Sequence, residues 1–148
     1  RNSDPDCEIT AMTATKDIKV GDRLPEREFT PTNVSLFFYN AAIWNAHRIH
    51  YDEKYTTGVE GHPGVVIDGP LQGDWLCQAV VEWMGEDGEL VEFEYSNRKA
   101  CYLGDTLTSG GVVKAIDSER GEVTLEIFVA DAEGNVTSPG GAVVRFKN

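Results

Sequence analysis

The chain has 148 residues, with 13 Lys+Arg against 25 Asp+Glu for a formal net charge of −12, and it is 41% hydrophobic and 26% charged. That is the composition of one globular domain rather than a disordered chain, and the acidic excess argues against nucleic-acid partners because no basic surplus exists to displace phosphate counterions. No apolar run approaches the ~18 residues of a membrane span, no basic-plus-apolar signal segment opens the chain, and Cys7, Cys77 and Cys101 neither close a disulfide framework nor match a zinc spacing, so a cytoplasmic protein with no membrane attachment is expected.

Residues 1–28 read as a polar N-terminal tail and lead-in strand, with the first dozen as a loose tail and Ile18 to Phe29 as the approach to a first strand. Residues 29–148 form the domain proper. After Pro31, the pair Thr32-Asn33 is a helix N-cap, and Val34 to Trp44 follows with apolar residues at helical spacing (Val34, Phe37, Phe38, Ala41, Ala42). From Asn45 to Gly69 periodicity vanishes while His47, His50, His62 and several glycines and charges crowd together. An irregular stretch of that length in a compact domain is usually functional.

Gly69-Pro70 opens a second helix, with Pro in the first turn that it favours, and the helix runs to Met84 and stops at Gly85. Asp74, Gln78 and Glu82 form one polar line, and almost everything else, including Trp75, Leu76, Val80 and Trp83, is apolar. A helix apolar over most of its circumference must be wrapped by other elements. The remainder predicts strands: Val91, Phe93 and Tyr95 alternating with Glu92 and Glu94, then Thr106–Ile116, Glu122–Ala130 and Gly141–Phe146, joined by short turns at Asp117–Gly121 and Asp131–Asn135. Consecutive strands with short turns make an antiparallel sheet. The predicted architecture is therefore α+β, a curled antiparallel sheet around one long apolar helix.

Two constellations can carry chemistry. Trp44-Asn-Ala-His-Arg-Ile-His-Tyr-Asp52 places Asn45, His47, His50 and Asp52 close together; imidazole transfers protons near neutral pH, and an Asn amide can fix a water. A metal-ligand reading of His47, His50 and Asp52 has only His62 to add, and the structural alternative is that these imidazoles satisfy local backbone groups. Gly64-Val-Val-Ile-Asp-Gly-Pro-Leu71 leads into the apolar helix, whose first amides are unpaired and sit at the positive end of its dipole, suited to a developing oxyanion. Cys77 and Cys101, among apolar neighbours, read as packing residues.

Together the two constellations resemble the MaoC-like, (R)-specific enoyl-CoA hydratase and dehydratase family of the hotdog fold, and more narrowly its mesaconyl-CoA hydratase and mitochondrial 3-hydroxyacyl-thioester dehydratase branch. Asp74–Gly85 is similar to the small MaoC subunits of steroid side-chain hydratases, Tyr102-Leu-Gly-Asp-Thr-Leu107 to the family's Pro-Gly-Asp-Thr-Leu turn, and Gly141-Ala-Val-Val144 to its final strand. The resemblance covers roughly residues 29–146. It implies a hydro-lyase acting on an α,β-unsaturated acyl-CoA, with water held by an Asp and a His five positions later, and a glycine amide on the thioester oxygen.

Carried over, the catalytic residues are His50, Asn45 and Gly69, with His47 and Asp52 assisting and Val66, Ile67, Arg48, Arg98 and Lys99 on the substrate. Asn45 stands where the Asp is expected; Asn orients water but cannot accept its proton, which leaves the base to His50. Asp68 stands where relatives commonly have His. The resemblance further implies no metal and no cofactor beyond the CoA of the substrate. It also implies a homodimer, or a heterodimer with another MaoC-like subunit, within a possible higher oligomer. Two other readings remain: a non-catalytic subunit of a heteromeric hydratase, which Asn45 favours, and a hotdog thioesterase using Asp52, Asp68 or Glu60 as its carboxylate.

Overall fold

The computed structural model describes residues 17–146; the expected loose tail and Cys7 lie outside them. The chain just before the first strand already packs on the sheet: Ile18 and Leu24 belong to the core, and the Leu24 amide donates to the Gly111 carbonyl at 3.0 Å. Strand β1 is short, Arg27–Phe29. Thr32 then caps helix α1, Asn33–Ala42, through a reciprocal capping box in which its hydroxyl accepts from the Ser35 amide and Ser35 Oγ accepts from the Thr32 amide. The apolar spacing seen in the sequence faces outward. Val34, Phe37 and Phe38 are exposed, while Leu36 and Asn40 are the residues that α1 buries.

The irregular stretch after α1 contains two local elements, a 3-10 turn at Arg48–His50 and helix α2, Glu53–Gly58, capped by Asp52. Residues Val65 to Ile67 then run between neighbours in an extended fashion. The Val66 amide donates to the Ile49 carbonyl, the Ile67 amide to that of Cys101, and the Leu103 amide to that of Val65.

Helix α3 spans Gly69–Met84 and ends at Gly85, as the Pro70 and Gly85 signals predict. Its buried face is Gln72, Gly73, Trp75, Leu76, Ala79, Val80 and Trp83. Strands β2 (Gly88–Tyr95), β3 (Leu107–Asp117), β4 (Glu122–Ala130) and β5 (Val136–Phe146) complete one antiparallel sheet in the order β1-β3-β4-β5-β2. The sheet curls around α3, with Trp75 stacked on Phe29 at 4.3 Å and Trp83 edge-on to Phe146 at 5.8 Å.

Two strand readings are corrected. A bulge between Leu90 and Glu92 shifts the inside-outside frame of β2, so Leu90, Phe93 and Tyr95 face the core and Val91 does not. Strand β5 begins five residues before the expected Gly141, because Pro139, Gly140 and Gly141 are poor strand signals in isolation. The register explains Gly140: a Cβ there would stand 2.5 Å from the Glu94 carbonyl oxygen of β2. Among the described residues no helix is long and apolar enough to cross a membrane.

Candidate active site

The site forms where the Arg48–His50 turn, α1 and the start of α3 meet. His50 is 8% exposed, and its Nδ1 lies 2.8 Å from the Val66 carbonyl oxygen. A carbonyl can only accept, so Nδ1 carries the proton and the opposite nitrogen, Nε2, is left to face the site. Nε2 points toward Asp68 Oδ1 at 3.6 Å, beyond hydrogen-bond distance but close enough for charge attraction whenever the ring is protonated.

Asp68 is wholly buried and does not cap its own helix. Instead its two oxygens accept from side-chain amides: Asn40 Nδ2 donates to Oδ2 at 2.9 Å and Asn45 Nδ2 to Oδ1 at 3.0 Å. The other end of the Asn45 amide accepts from the His47 backbone N–H at 3.1 Å, and His47 Nδ1 in turn accepts from the Ile49 amide at 3.4 Å. A chain of local bonds therefore fixes the turn that carries His50. The anomalous Asp68 is the hub of this arrangement. The sequence reading does not single out Asn40; its one signal is an amide standing a helical turn beyond buried Leu36 on a mainly apolar helix.

Gly69 follows Asp68 at the first position of α3, where the backbone N–H has no intrahelical acceptor. A Cβ at Gly69 would lie 2.2 Å from Asn97 Nδ2, so the glycine is what lets the Asn97 side chain cover this helix start. Asn97 is itself tethered: the Ser138 hydroxyl lies 2.9 Å from both Asn97 Oδ1 and buried Gln72 Oε1. A cavity of about 330 Å³ opens beside the cluster, lined by Phe37, Ala41, Trp44, Ala46 and Tyr51 with Asn40 and Asn45 as its polar members.

The other residues expected from sequence sit as follows. The His47 ring centre is 6.0 Å from that of His50. Asp52 is engaged locally, accepting from Arg48 Nη2 at 2.6 Å and from the Tyr55 amide at 3.0 Å. The Arg48 guanidinium first, then the Tyr55 amide, hold the Asp52 carboxyl below its usual range, and Arg48 also stacks 4.1 Å over the Tyr55 ring. Lys99 pairs with Asp131 at 2.7 Å, and Arg98 Nε donates to Ser96 Oγ at 3.1 Å. Val66 and Ile67 are buried, so Val66 meets the site through its carbonyl. His62 sits against Tyr102, 3.4 Å from its hydroxyl. Among the described residues, no three or more His, Cys, Asp or Glu side chains converge as a metal set. Cys101 is buried and burial pushes its thiol up, in keeping with a packing role, while Cys77 is half-buried.

A curled antiparallel sheet wrapped on one long helix is the hotdog fold, which this chain shares with solved MaoC-like hydratases. Residues 7–103 match the hydroxyacyl-thioester dehydratase type 2 family, and the chain belongs to it. It is 46% identical over 110 residues to the mitochondrial hydroxyacyl-thioester dehydratase type 2 of Schizosaccharomyces pombe, covering 71% of this chain and 33% of that protein. It is 26% identical over 101 residues to the Saccharomyces cerevisiae protein of the same name, covering 68% of this chain and 34% of that protein. A mesaconyl-C(4)-CoA hydratase of Chloroflexus aurantiacus is 40% identical over 68 residues, 46% of this chain and 24% of that protein.

The chain thus spans about a third or less of the length of these relatives. Among solved structures, the (R)-hydratase from A. caviae involved in PHA biosynthesis shares the fold with a TM-score of 0.81 at 16% identity, covering 89% of this chain and 99% of that one. The ChsH1-ChsH2 complex from Mycobacterium tuberculosis does so with a TM-score of 0.77 at 17% identity, covering 87% and 98%. The expectation of a cytoplasmic location is corrected by the relatives: both yeast proteins are mitochondrial enzymes.

Proposed function

We propose that the chain is a hydro-lyase unit that interconverts an α,β-unsaturated acyl thioester and the corresponding 3-hydroxyacyl thioester, with acyl-CoA as substrate. The observation that carries this reading is the orientation of His50: Nδ1 is tied to the Val66 carbonyl and Nε2 makes no hydrogen bond among the described residues, next to Asn45, which lines the mainly apolar cavity, and near the start of α3, where the Gly69 N–H has no intrahelical acceptor. In the hydration direction, water donates one proton toward His50 Nε2 and the other toward the second lone pair of Asn45 Oδ1. Its oxygen bonds to Cβ as the π electrons move through Cα to the thioester oxygen. The Gly69 N–H meets the oxyanion that forms there. His50 takes the water proton at Nε2 and returns a proton to Cα, so one water is added and the enzyme is regenerated. Dehydration is the reverse, and neither direction needs a metal, a redox group or a cofactor beyond the CoA of the substrate.

The cavity between Trp44 and Tyr51 suits the acyl portion. Of the basic residues expected on the CoA phosphates, the Arg98 guanidinium has a hydroxyl as its partner among the described residues, whereas Arg48 and Lys99 are paired to carboxylates. The exposed face of α1, with Val34, Phe37 and Phe38 followed by a 93% exposed Trp44, supports pairing with a second copy or another MaoC-like subunit.

The test is hydration of crotonyl-CoA and longer enoyl-CoA esters, followed by loss of enoyl absorbance, with and without candidate partner subunits. His50→Ala is expected to lower kcat by about 10²–10⁴, the range of a positioned acid-base group. A His50→Ala protein or complex as active as the parent would refute the reading. Release of free CoA thiol in place of hydration would assign the site to thioester hydrolysis instead.

A further inference from the structure

A carboxylate removed from water is costly unless hydrogen-bonded or paired with a cation, and Asp68 is wholly buried with no Lys or Arg partner among the ion pairs of the described residues. Its compensation comes from three sources: the Asn40 amide, the Asn45 amide and the amino end of α3. None of these neutralises it. Among the described residues, the group paired with it that can gain a positive charge is His50, whose Nε2 lies 3.6 Å from Oδ1. Asn45, the neutral residue five positions before His50, spends its Nδ2 on the same Oδ1. The carboxylate absent at position 45 is therefore present one hydrogen bond away, at position 68, beside the nitrogen that must take up the water proton.

We infer that Asp68 is a positioning residue of the reaction: its buried charge faces Nε2, stabilises the imidazolium formed when His50 accepts the water proton, and so gives His50 the strength as a base that Asn45 does not supply. The inference rests on the His50 role proposed above. Asn40 and Asn45 donate to the two oxygens of Asp68 and so fix its orientation toward Nε2. With the proton on Nδ1, resting Nε2 and the Asp68 carboxylate are both acceptors and form no direct bond, so Nε2 is left to accept from water; once Nε2 takes a proton, Oδ1 at 3.6 Å faces a positive ring. The titratable groups facing His50 among the described residues are Asp68, from the start of α3, and His47, from its own turn; α1 brings the neutral Asn40, and the extended run before α3 brings only the Val66 carbonyl.

The test uses Asp68→Asn, which keeps the shape and removes the charge, and the double exchange Asn45→Asp with Asp68→Asn, which returns a carboxylate to the same pair of facing positions. Two readouts are taken: enoyl-CoA hydration across pH, and the imidazole titration of His50 by NMR, assigned by its loss in His50→Ala. Asp68→Asn is expected to lower kcat about 10²-fold with KM little changed, and to move the His50 midpoint and the acidic limb of the rate profile to lower pH. The double exchange is expected to recover at least tenfold of the lost rate and the original midpoint. A His50 midpoint unchanged in Asp68→Asn overturns the inference, as does a double exchange no better than Asp68→Asn in an active parent. An inactive parent whose His50 midpoint still follows Asp68 would sink the hydratase reading while leaving the electrostatic pairing in place. Should Asp68→Asn fail to fold, the double exchange and the parent carry the comparison alone, and a folded double exchange with neither activity nor a parent-like midpoint counts against the inference.

Discussion

Gly140 and Gly141 stand side by side in β5, and the structure predicts opposite outcomes for replacing each by alanine. A Cβ on Gly140 would sit 2.5 Å from the Glu94 carbonyl oxygen, 3.0 Å from Tyr95 Cβ and 3.1 Å from Ile127 Cγ1. The first of these is main chain, so relief requires the end of β2 to retreat by about 1 Å, loosening the ladder where Tyr95 faces Gly140 and Glu94 faces Gly141. One or two weakened ladder bonds at about 1 kcal/mol each add to an overpacking cost of about 1–3 kcal/mol. The reduced freedom of the unfolded chain returns about 0.4–1 kcal/mol. The net cost of Gly140→Ala is then about 1–4.6 kcal/mol, or a fall in Tm of about 2–18 °C for a domain of this size. At Gly141 the nearest atom to a built Cβ is the Leu125 carbonyl oxygen at 3.6 Å, an ordinary contact. Gly141→Ala should therefore be neutral or stabilise by up to about 1 kcal/mol. Urea and thermal unfolding of the two variants beside the parent decide the matter. Equal costs at the two positions, or a Gly140→Ala as stable as the parent, would refute the close approach of β2 and β5 on which the argument stands.

Two further outcomes follow from the packing and the charge pairs. Leu76 is fully buried on the sheet-facing side of α3, and Leu76→Ala should destabilise by about 2–5 kcal/mol in urea unfolding; a cost below about 1 kcal/mol would mean that the sheet does not wrap this helix. The Lys99 ammonium, helped by the Asn135 amide, holds the Asp131 carboxyl down to about 2. Because that value is depressed on folding, the pair favours the native state above the unfolded carboxyl range of about 4 and loses its effect as pH falls toward about 2. Lys99→Met should raise the Asp131 midpoint in an NMR acid titration, and an unmoved midpoint would show that the ion pair does not form in solution.

Punctuation residues made α3 legible: Pro70 opens it, Gly85 closes it, and the apolar circumference between them could only be interior. The same reasoning placed β4 to the residue. It failed where two strands depart from regularity, at the Leu90–Glu92 bulge that shifts the frame of β2 and at Pro139-Gly-Gly, whose place in a ladder depends on the neighbours that approach it. In α1, helical spacing identified a shared face in Val34, Phe37 and Phe38 but could not say that this face turns outward while Asn40 turns in. His50 and Gly69 were readable as motif positions. Asp68 was readable only as an anomaly, because what surrounds it comes from residues 28 and 23 positions earlier in the chain, and only the folded chain brings those amides to its oxygens.

The strand order has a consequence for how the chain can be made. Strand β2 emerges directly after α3, yet among the described residues its sheet neighbour is β5, the last of the five strands, and Gly88 at its start pairs with Phe146 at the end of β5. During synthesis the carboxylate-lined β2 must wait unpaired, and the apolar helix before it only partly covered, until β5 has been added. Contacts so distant along the chain slow folding and lengthen the exposure of apolar surface to aggregation. A ribosome that stalls in the Asp131–Asn135 turn therefore releases a chain in which β2 has no neighbour and β4 has a raw edge, so an interruption that removes one strand deprives two others of their seats.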